Sequence, residues 1–548
     1  LGRDLLELRM RSLFLRALWG LIFLGLLMRV LRQPEVVGTY NPRVDELLYA
    51  GQRLLDGQLL FDGLVNGTLP LAQLLYAPSA WLGTIKAHYL LTLGLNVFGG
   101  LLLALAMANL ARVGLLTLTP GSLLPAAGAM FFVIFSQMLS GGPSGLLEHF
   151  ANLFLVISLF ILSQVATCAN QRHPFRTLQL AGAGAVLVLA LGSSPRWISP
   201  MLMVAVVGIL VLRISRPFSV LLPALAGGLA TVLLLFSPYL LCRDGPSLAW
   251  AGSVLLPLEL ASRSPPEINR FIPLLLEFLS LKVAGLPVWL LALVPCLALL
   301  EYIGRLARRP LGLGDQVLLV PGLAFVFLLE TLSAFMRGGF EIDEMQLLIV
   351  PLVIIMICGF AVLERSFWRR RAGGFVLLVL SFILFNNVFL VSVLHQPRQP
   401  NAMVRALEAD RDATRRFLLS HPGEGFTAPQ DVALQRQLHQ RASTTGIGPE
   451  WSLNPRQLKP SWATRKLLLP TDPSAVCEQL TDPANQHLVW MRTDPDGPNT
   501  EAFFRACLNR QPGRWEDISD QLKLSSGQYR LFRRRTEPLT PSAQGHAL

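Results

Sequence analysis

The segment LAQLLYAPSAWLG, Leu71–Gly83, decides how the rest of the chain is threaded. It is apolar and carries Pro78 near its middle. At 13 residues it falls short of the ~20 that a helix needs to cross a hydrocarbon layer. Read as a helix at the membrane surface, it leaves a series of longer apolar runs on either side. Read as a span, it reverses the sidedness of every loop downstream, so the charges of those loops decide between the two.

The longer runs lie at 13–31, 87–111, 120–139, 150–169, 177–193, 198–213, 218–240, 272–299, 316–335, 345–363 and 374–394. The chain of 548 residues is 52% hydrophobic and only 15% charged, with a mean hydropathy of +0.49. That composition excludes an ordinary soluble protein. In lipid such runs must be helical, because an unpaired backbone amide there is costly. Residues 13–31 read as a retained span rather than a signal peptide. No small-x-small site follows them, and Arg29 and Arg32 come at once after the apolar run.

With Leu71–Gly83 set at the surface, alternate loops separate by charge. One set holds Arg3, Arg9, Arg11 and Arg16, then Arg112, Arg172, Arg176, Arg213, Arg216, Arg305, Arg308 and Arg309, and finally Arg365 and Arg369–Arg371. The other holds Asp45, Glu46, Asp56, Asp62, Glu148, Asp244, Glu259, Glu267, Glu341, Asp343 and Glu344. Positive loops stay inside, so the N-terminus is expected in the cytoplasm and the C-terminal residues outside it, in a multi-pass plasma (inner) membrane. The net charge of +12 is thereby a topology signal and does not imply a nucleic-acid partner. The acidic loops at 32–70 and 241–271 are long, and the second holds the Pro-rich SRSPPE.

The apolar excess ends near His395, where HQPRQP reads as a linker. Beyond it, 402–420 is a charged helical stretch. RKLLLP, HLVWMR and YRLFRRR read as strands, and PSAVCEQL and NTEAFFRACLNR as helices. The expected architecture is therefore an all-α polytopic membrane domain of about eleven spans over 1–394, with a small extracytoplasmic α/β domain over 395–548.

Several residues can carry chemistry. Asp45 and Glu46 follow the first span at its outer end. A carboxylate there serves as a base for an acceptor hydroxyl or amine, as a metal ligand, or as a solvated loop acid. Glu148, with His149, follows the glycine-rich SGGPSG at the start of the fourth span; it is a second catalytic candidate or a first-turn acid favoured by the helix dipole. Arg196, in the short turn SSPRWIS, reads as a phosphate ligand or, beside Trp197, as an interfacial anchor. Arg337, Glu341, Asp343 and Glu344 crowd one short outer loop and either line an acidic cavity or sit in water. Lacking His and Cys, that group would take Mg²⁺ or Mn²⁺ rather than a softer cation. Cys477 and Cys507, on two expected helices outside the cytoplasm, are placed for a disulfide by an oxidising compartment. No Walker A, Rossmann, HExxH or paired CxxC pattern is present, which argues against an ATP-driven pump or a soluble-cofactor enzyme.

DELLYAGQRLLDGQLLFDG (Asp45–Gly63) and LPLAQLLYAPSAWLG (Leu69–Gly83) together resemble the first outer loop of the GT-C membrane glycosyltransferases, among them the protein O-mannosyltransferases of glycosyltransferase family 39 and the aminoarabinose transferase of lipid A. The resemblance implies a GT-C-like bundle with an acidic active site at its outer face. It also implies an inverting transfer of a sugar from a polyprenyl-phosphate donor to a lipid, glycan or protein acceptor, with Asp45, Glu46 and Glu148 as catalytic candidates. The family's Lys-Pro-Pro reads Thr68-Leu69-Pro70 here, and its later His-Tyr pair is replaced by Asp343-Glu344 in RGGFEIDEMQLLIVP. The cation for the donor phosphate then falls to Arg196 or Arg337. Two other classes stay open: a scaffold of this kind that binds lipid without catalysis, and a transporter or flippase. A transporter would carry ionisable or broken helices at mid-membrane in related halves. Here Glu277, Lys282 and Glu330 are the main charges within the runs, and no repeat relates two halves.

Overall fold

The computed structural model describes residues 2–32, 42–57, 70–82, 85–116, 118, 122–139, 146–167, 176–193, 218–241, 245–250, 253, 271–306, 319–335, 346–364, 367–390, 402–421, 425–427, 434, 485–491, 515–527 and 529–535. The apolar runs become helices α1 (Gly2–Arg32), α4 (Ile85–Arg112), α5 (Leu124–Met138), α6 (Leu147–Thr167), α7 (Arg176–Ser193) and α8 (Phe218–Leu240). They continue as α11 (Val288–Leu306), α12 (Leu319–Phe335), α13 (Ile349–Glu364) and α14 (Phe367–Phe385), the last extended by a π-helical turn over Asn386–Leu390. The run at 198–213 lies outside the described residues. Among those residues, seven helices are long and apolar enough to cross a membrane, and three shorter apolar ones accompany them. The chain is a polytopic membrane protein.

Helix α13 is the centre of the bundle. Every residue from Ile349 to Val362 is buried, so its apolar character on all faces is matched by neighbours on all faces. It packs on α5, α6, α11, α12 and α14. Gly359 lets α11 come close, since a Cβ there would overlap the Pro295 carbonyl. At the other extreme, α8 has 6% of its apolar window buried inside the protein and leans on α7. Its exposed Leu222, Leu225, Leu229 and Leu234 are what a lipid-facing helix shows.

The continuous span expected over 272–299 is corrected. That stretch is a short helix α10 (Phe271–Ser280), a two-residue hairpin of β1 (Lys282–Val283) with β2 (Leu286–Pro287), and then α11. The turn needs positive φ at Ala284 (52°) and Gly285 (83°), which breaks the helix. Val288 N donates to the Leu281 carbonyl at 2.9 Å, so the hairpin satisfies its own backbone. Val283 and Ala284 are buried, and β1 meets α5, so the irregular piece is covered by protein.

The segment Leu71–Gly83 falls on the 13-residue helix α3 (Pro70–Leu82). Leu71, Ala72, Gln73, Tyr76, Ala77, Ser79 and Ala80 are buried on one side, while Leu74, Trp81 and Leu82 are exposed. It pairs with α2 (Pro42–Leu55), the helix that contains Asp45 and Glu46. A six-residue helix α9 (Gly245–Trp250) leans on α8.

After residue 401 the structure has helix α15 (Ala402–Ser420) and strands β3 (Gly425–Thr427), β4 (Asn485–Met491), β5 (Trp515–Asp517) and β6 (Tyr529–Arg534). Their sheet order is β3-β4-β6-β5, with β3 parallel to β4 and the other pairs antiparallel. Leu418, Leu434, Val489, Ile518, Tyr529 and Leu531 form a hydrophobic cluster separate from that of the bundle. Strands expected at HLVWMR and YRLFRRR are β4 and β6, neighbours at the centre of the sheet. RKLLLP, PSAVCEQL, NTEAFFRACLNR and the Cys477–Cys507 disulfide all lie outside the described residues.

Candidate functional site

Two polar contacts fix α4 beside α6. Near one end, Asn96 Nδ2 lies 3.2 Å from His149 Nδ1. Thirteen residues further along α4, Asn109 Nδ2 donates to Ser163 Oγ at 3.1 Å. The partners on α6 advance in step, so the two helices run parallel, with the contacts ~20 Å apart along the axis. Gly99 and Gly100 between them admit α5, whose Phe132, Ala129 and Val133 come within contact of the positions a Cβ would take.

This register gathers polar side chains at the end where α4, α6 and α13 begin and α5 finishes. His88, Thr92 and Asn96 come from α4, Glu148, His149 and Asn152 from α6, and all six are buried. Asn152 Nδ2 donates to the Gln346 carbonyl at 2.8 Å, which ties the start of α13 to α6. Ser136 and Gln137 at the end of α5 are buried as well. Among the described residues, Ser136 Oγ, Gln137 Nε2 and Asn152 Oδ1 have no hydrogen-bond partner. At the same end α3 closes against them. The Tyr76 ring stacks on His88 with centroids 4.9 Å apart and reaches Phe150 at 5.7 Å. Ser79 Oγ and His88 Nδ1 are hydrogen-bonded at 2.8 Å. The opposite end has its own, simpler contact: Ser122 Oγ donates to Glu364 Oε1 at 2.9 Å.

Glu148 is the one expected site residue whose side chain the structure describes. It is 4% exposed, in the first turn of α6, among those polar groups. Asp45 and Glu46 are on α2, but their side chains lie outside the description. Arg196, Arg337, Glu341, Asp343 and Glu344 also lie outside it. Among the described residues no three His, Cys, Asp or Glu side chains come together as a metal site. Sequence reading passed over Ser79, His88, Asn96, Asn152 and Gln346. The signal available was His88–Thr92–Asn96, three polar residues four apart on one face of an apolar helix.

Fold and site together define a helical, polytopic membrane protein with a belt of mostly neutral polar groups, and one buried carboxyl, at one end of its bundle. No protein-family model matches the chain, and no curated protein matches it. Two solved structures share part of its layout. The archaeal oligosaccharyltransferase AglB from Archaeoglobus fulgidus, in complex with an inhibitory peptide and a dolichol-phosphate, is 12% identical. That match covers 87% of this chain and 69% of that one, with a TM-score of 0.41. The Archaeoglobus fulgidus oligosaccharyltransferase in complex with Zn and sulfate is 11% identical over 86% of this chain and 67% of that one, with a TM-score of 0.42. At these values neither assigns a role to any residue here.

Proposed function

We propose that the chain is a membrane glycosyltransferase that moves a sugar from a polyprenyl-phosphate donor to a lipid, glycan or protein acceptor at the extracytoplasmic face. The observation that carries this reading is the buried Glu148, set among hydroxyl, amide and imidazole groups on α6, the helix that the Tyr76 ring of α3 reaches at Phe150. Neutral donors and acceptors of that kind suit the hydroxyls of a sugar. The α2–α3 pair is also the stretch whose sequence resembles the GT-C first outer loop.

In the proposed reaction, the acceptor oxygen or nitrogen bonds to the anomeric carbon as the bond from that carbon to the phosphate oxygen breaks. Asp45 takes the acceptor's proton, with Glu46 or Glu148 orienting the attacking group. Negative charge grows on the departing lipid phosphate, and Arg196 or Arg337 offsets it. A divalent cation, Mg²⁺ or Mn²⁺, would be held by outer-face carboxylates such as Asp45 and Glu46, or Glu341, Asp343 and Glu344, and no step here is routed through it.

Comparing envelope glycans, glycolipids and glycoproteins by mass spectrometry in cells with and without the chain tests the reading. One sugar modification should vanish on deletion and return with the wild-type chain. An unchanged set of modifications contradicts transfer. An unchanged set with altered polyprenyl-phosphate pools would favour the lipid-binding scaffold, for which the missing Lys-Pro-Pro speaks.

A further inference from the structure

The acid-bearing helix α2 has α3 as its principal packing partner among the described elements. The two approach so closely that a Cβ on Gly51 would lie 2.7 Å from Ala77 N and from the Tyr76 carbonyl carbon, so a larger residue pushes them apart. Whatever fixes α3 therefore fixes α2. Yet α3 is poorly able to hold itself. It has 13 residues, about the length at which an isolated helix is marginal. Pro78 also removes one of its internal hydrogen bonds.

Helix α3 packs on α4, α7 and α8, and two of its contacts with α4 converge on one residue. His88 meets α3 twice, through the ring of Tyr76 at 4.9 Å and through Ser79 Oγ at 2.8 Å. Tyr76, Ser79 and His88 are each 0% exposed, so neither contact competes with water. Tyr76 links the two sides, since its backbone touches Gly51 on α2 while its ring lies on His88. One turn further along α4, Thr92 Oγ1 donates to the His88 carbonyl at 2.9 Å, and the next turn carries Asn96, the partner of His149 beside Glu148.

We propose that His88 is a positioning residue: through Ser79 and Tyr76 it holds α3, and with it the Asp45-bearing α2, at a fixed place relative to Glu148 on α6. The inference rests on the reading of Asp45 and Glu148 as the working acids. His88 itself touches no substrate.

The test is a distance measurement on the full chain in lipid nanodiscs, made cysteine-free apart from spin labels at L55C on α2 and L105C on α4, both exposed positions. The parent chain should give one narrow distance peak. S79A, which removes only Oγ, and H88F, which keeps a ring against Tyr76 but not the nitrogen, should lose it. H88N keeps a polar atom where Nδ1 lies and should restore it. S163A, which breaks the equivalent buried contact at the far end of α4, should leave it unchanged. If S79A and H88F keep the parent peak, His88 has no positioning role. In transfer assays, S79A should lower kcat about tenfold while the acceptor KM stays within about twofold, as expected when binding survives and alignment does not. A parent chain that transfers no sugar overturns the transferase reading alone, because the distance measurement does not depend on turnover.

Discussion

Asp410 shows how much one buried carboxylate can hold. It lies on α15, 2% exposed, and its two oxygens accept from the amides of Ser525 and Ser526, both at 2.8 Å. Removing it strands two amides and an interior position at once. D410A should therefore cost about 2 kcal/mol of local stability, read as faster amide hydrogen exchange across β6 and the turn before it. Exchange at the parent rate would mean that the clamp is incidental. No sequence signal announces this contact, because Asp410 sits in a charged helix among many acids and bases. Glu148 was singled out as an acid at the start of the fourth span, after SGGPSG, and it lies buried in the first turn of α6. His88 and Asn96 were not, because a single polar residue in a membrane helix reads as packing until the fold brings it to its partner.

For single elements, hydropathy located most of the apolar helices among the described residues and missed the break in one. A window average sees Phe271–Leu299 as a single apolar run, yet Ala284 and Gly285 turn the chain back on itself within it. Burial against α5 and a self-satisfied backbone make that turn tolerable, and neither is visible before folding. Helix α3, by contrast, was expected as a short helix, and its 13 residues agree.

Close helix contacts form a second feature of this scale. On α7 and α8, a Cβ on Gly184 would overlap the Ala224 carbonyl, and one on Gly227 would overlap that of Ala181, a reciprocal contact between backbones. G184V or G227V should separate the pair and destabilise the detergent-solubilised protein by about 1–3 kcal/mol, seen as a lower melting temperature. Gly182, with nothing within 4 Å of its Cβ position, supplies the control. G182A should melt as the parent does, and equal losses in all three variants would argue against the reciprocal contact.

Across the whole molecule, loop charge predicts sidedness, and that prediction can be tested at the two ends of the bundle. The polar belt and the α2–α3 pair share one end of the bundle, while Arg112 and the Ser122–Glu364 contact mark the other. In intact cells, a cysteine at exposed Asp56 should react with a membrane-impermeant maleimide, while one at Arg112 should react only after permeabilisation. The reverse pattern would invert the molecule and place the acids in the cytoplasm, where a polyprenyl-linked donor would no longer be the natural partner. Of the sheet after residue 401, β4 and β6 were legible as short apolar runs, but β3 and β5 were not, and β3 pairs in parallel with β4 across a long stretch of chain.

The central claim is that acids at the outer end of this bundle move a sugar. The most direct measurement is transfer from radiolabelled polyprenyl-phosphate sugars by the purified chain in proteoliposomes, comparing the parent with D45N and E148Q. D45N should abolish transfer and E148Q should reduce it at least about tenfold, with insertion and melting temperature unchanged. Parent-level transfer by D45N would contradict the account.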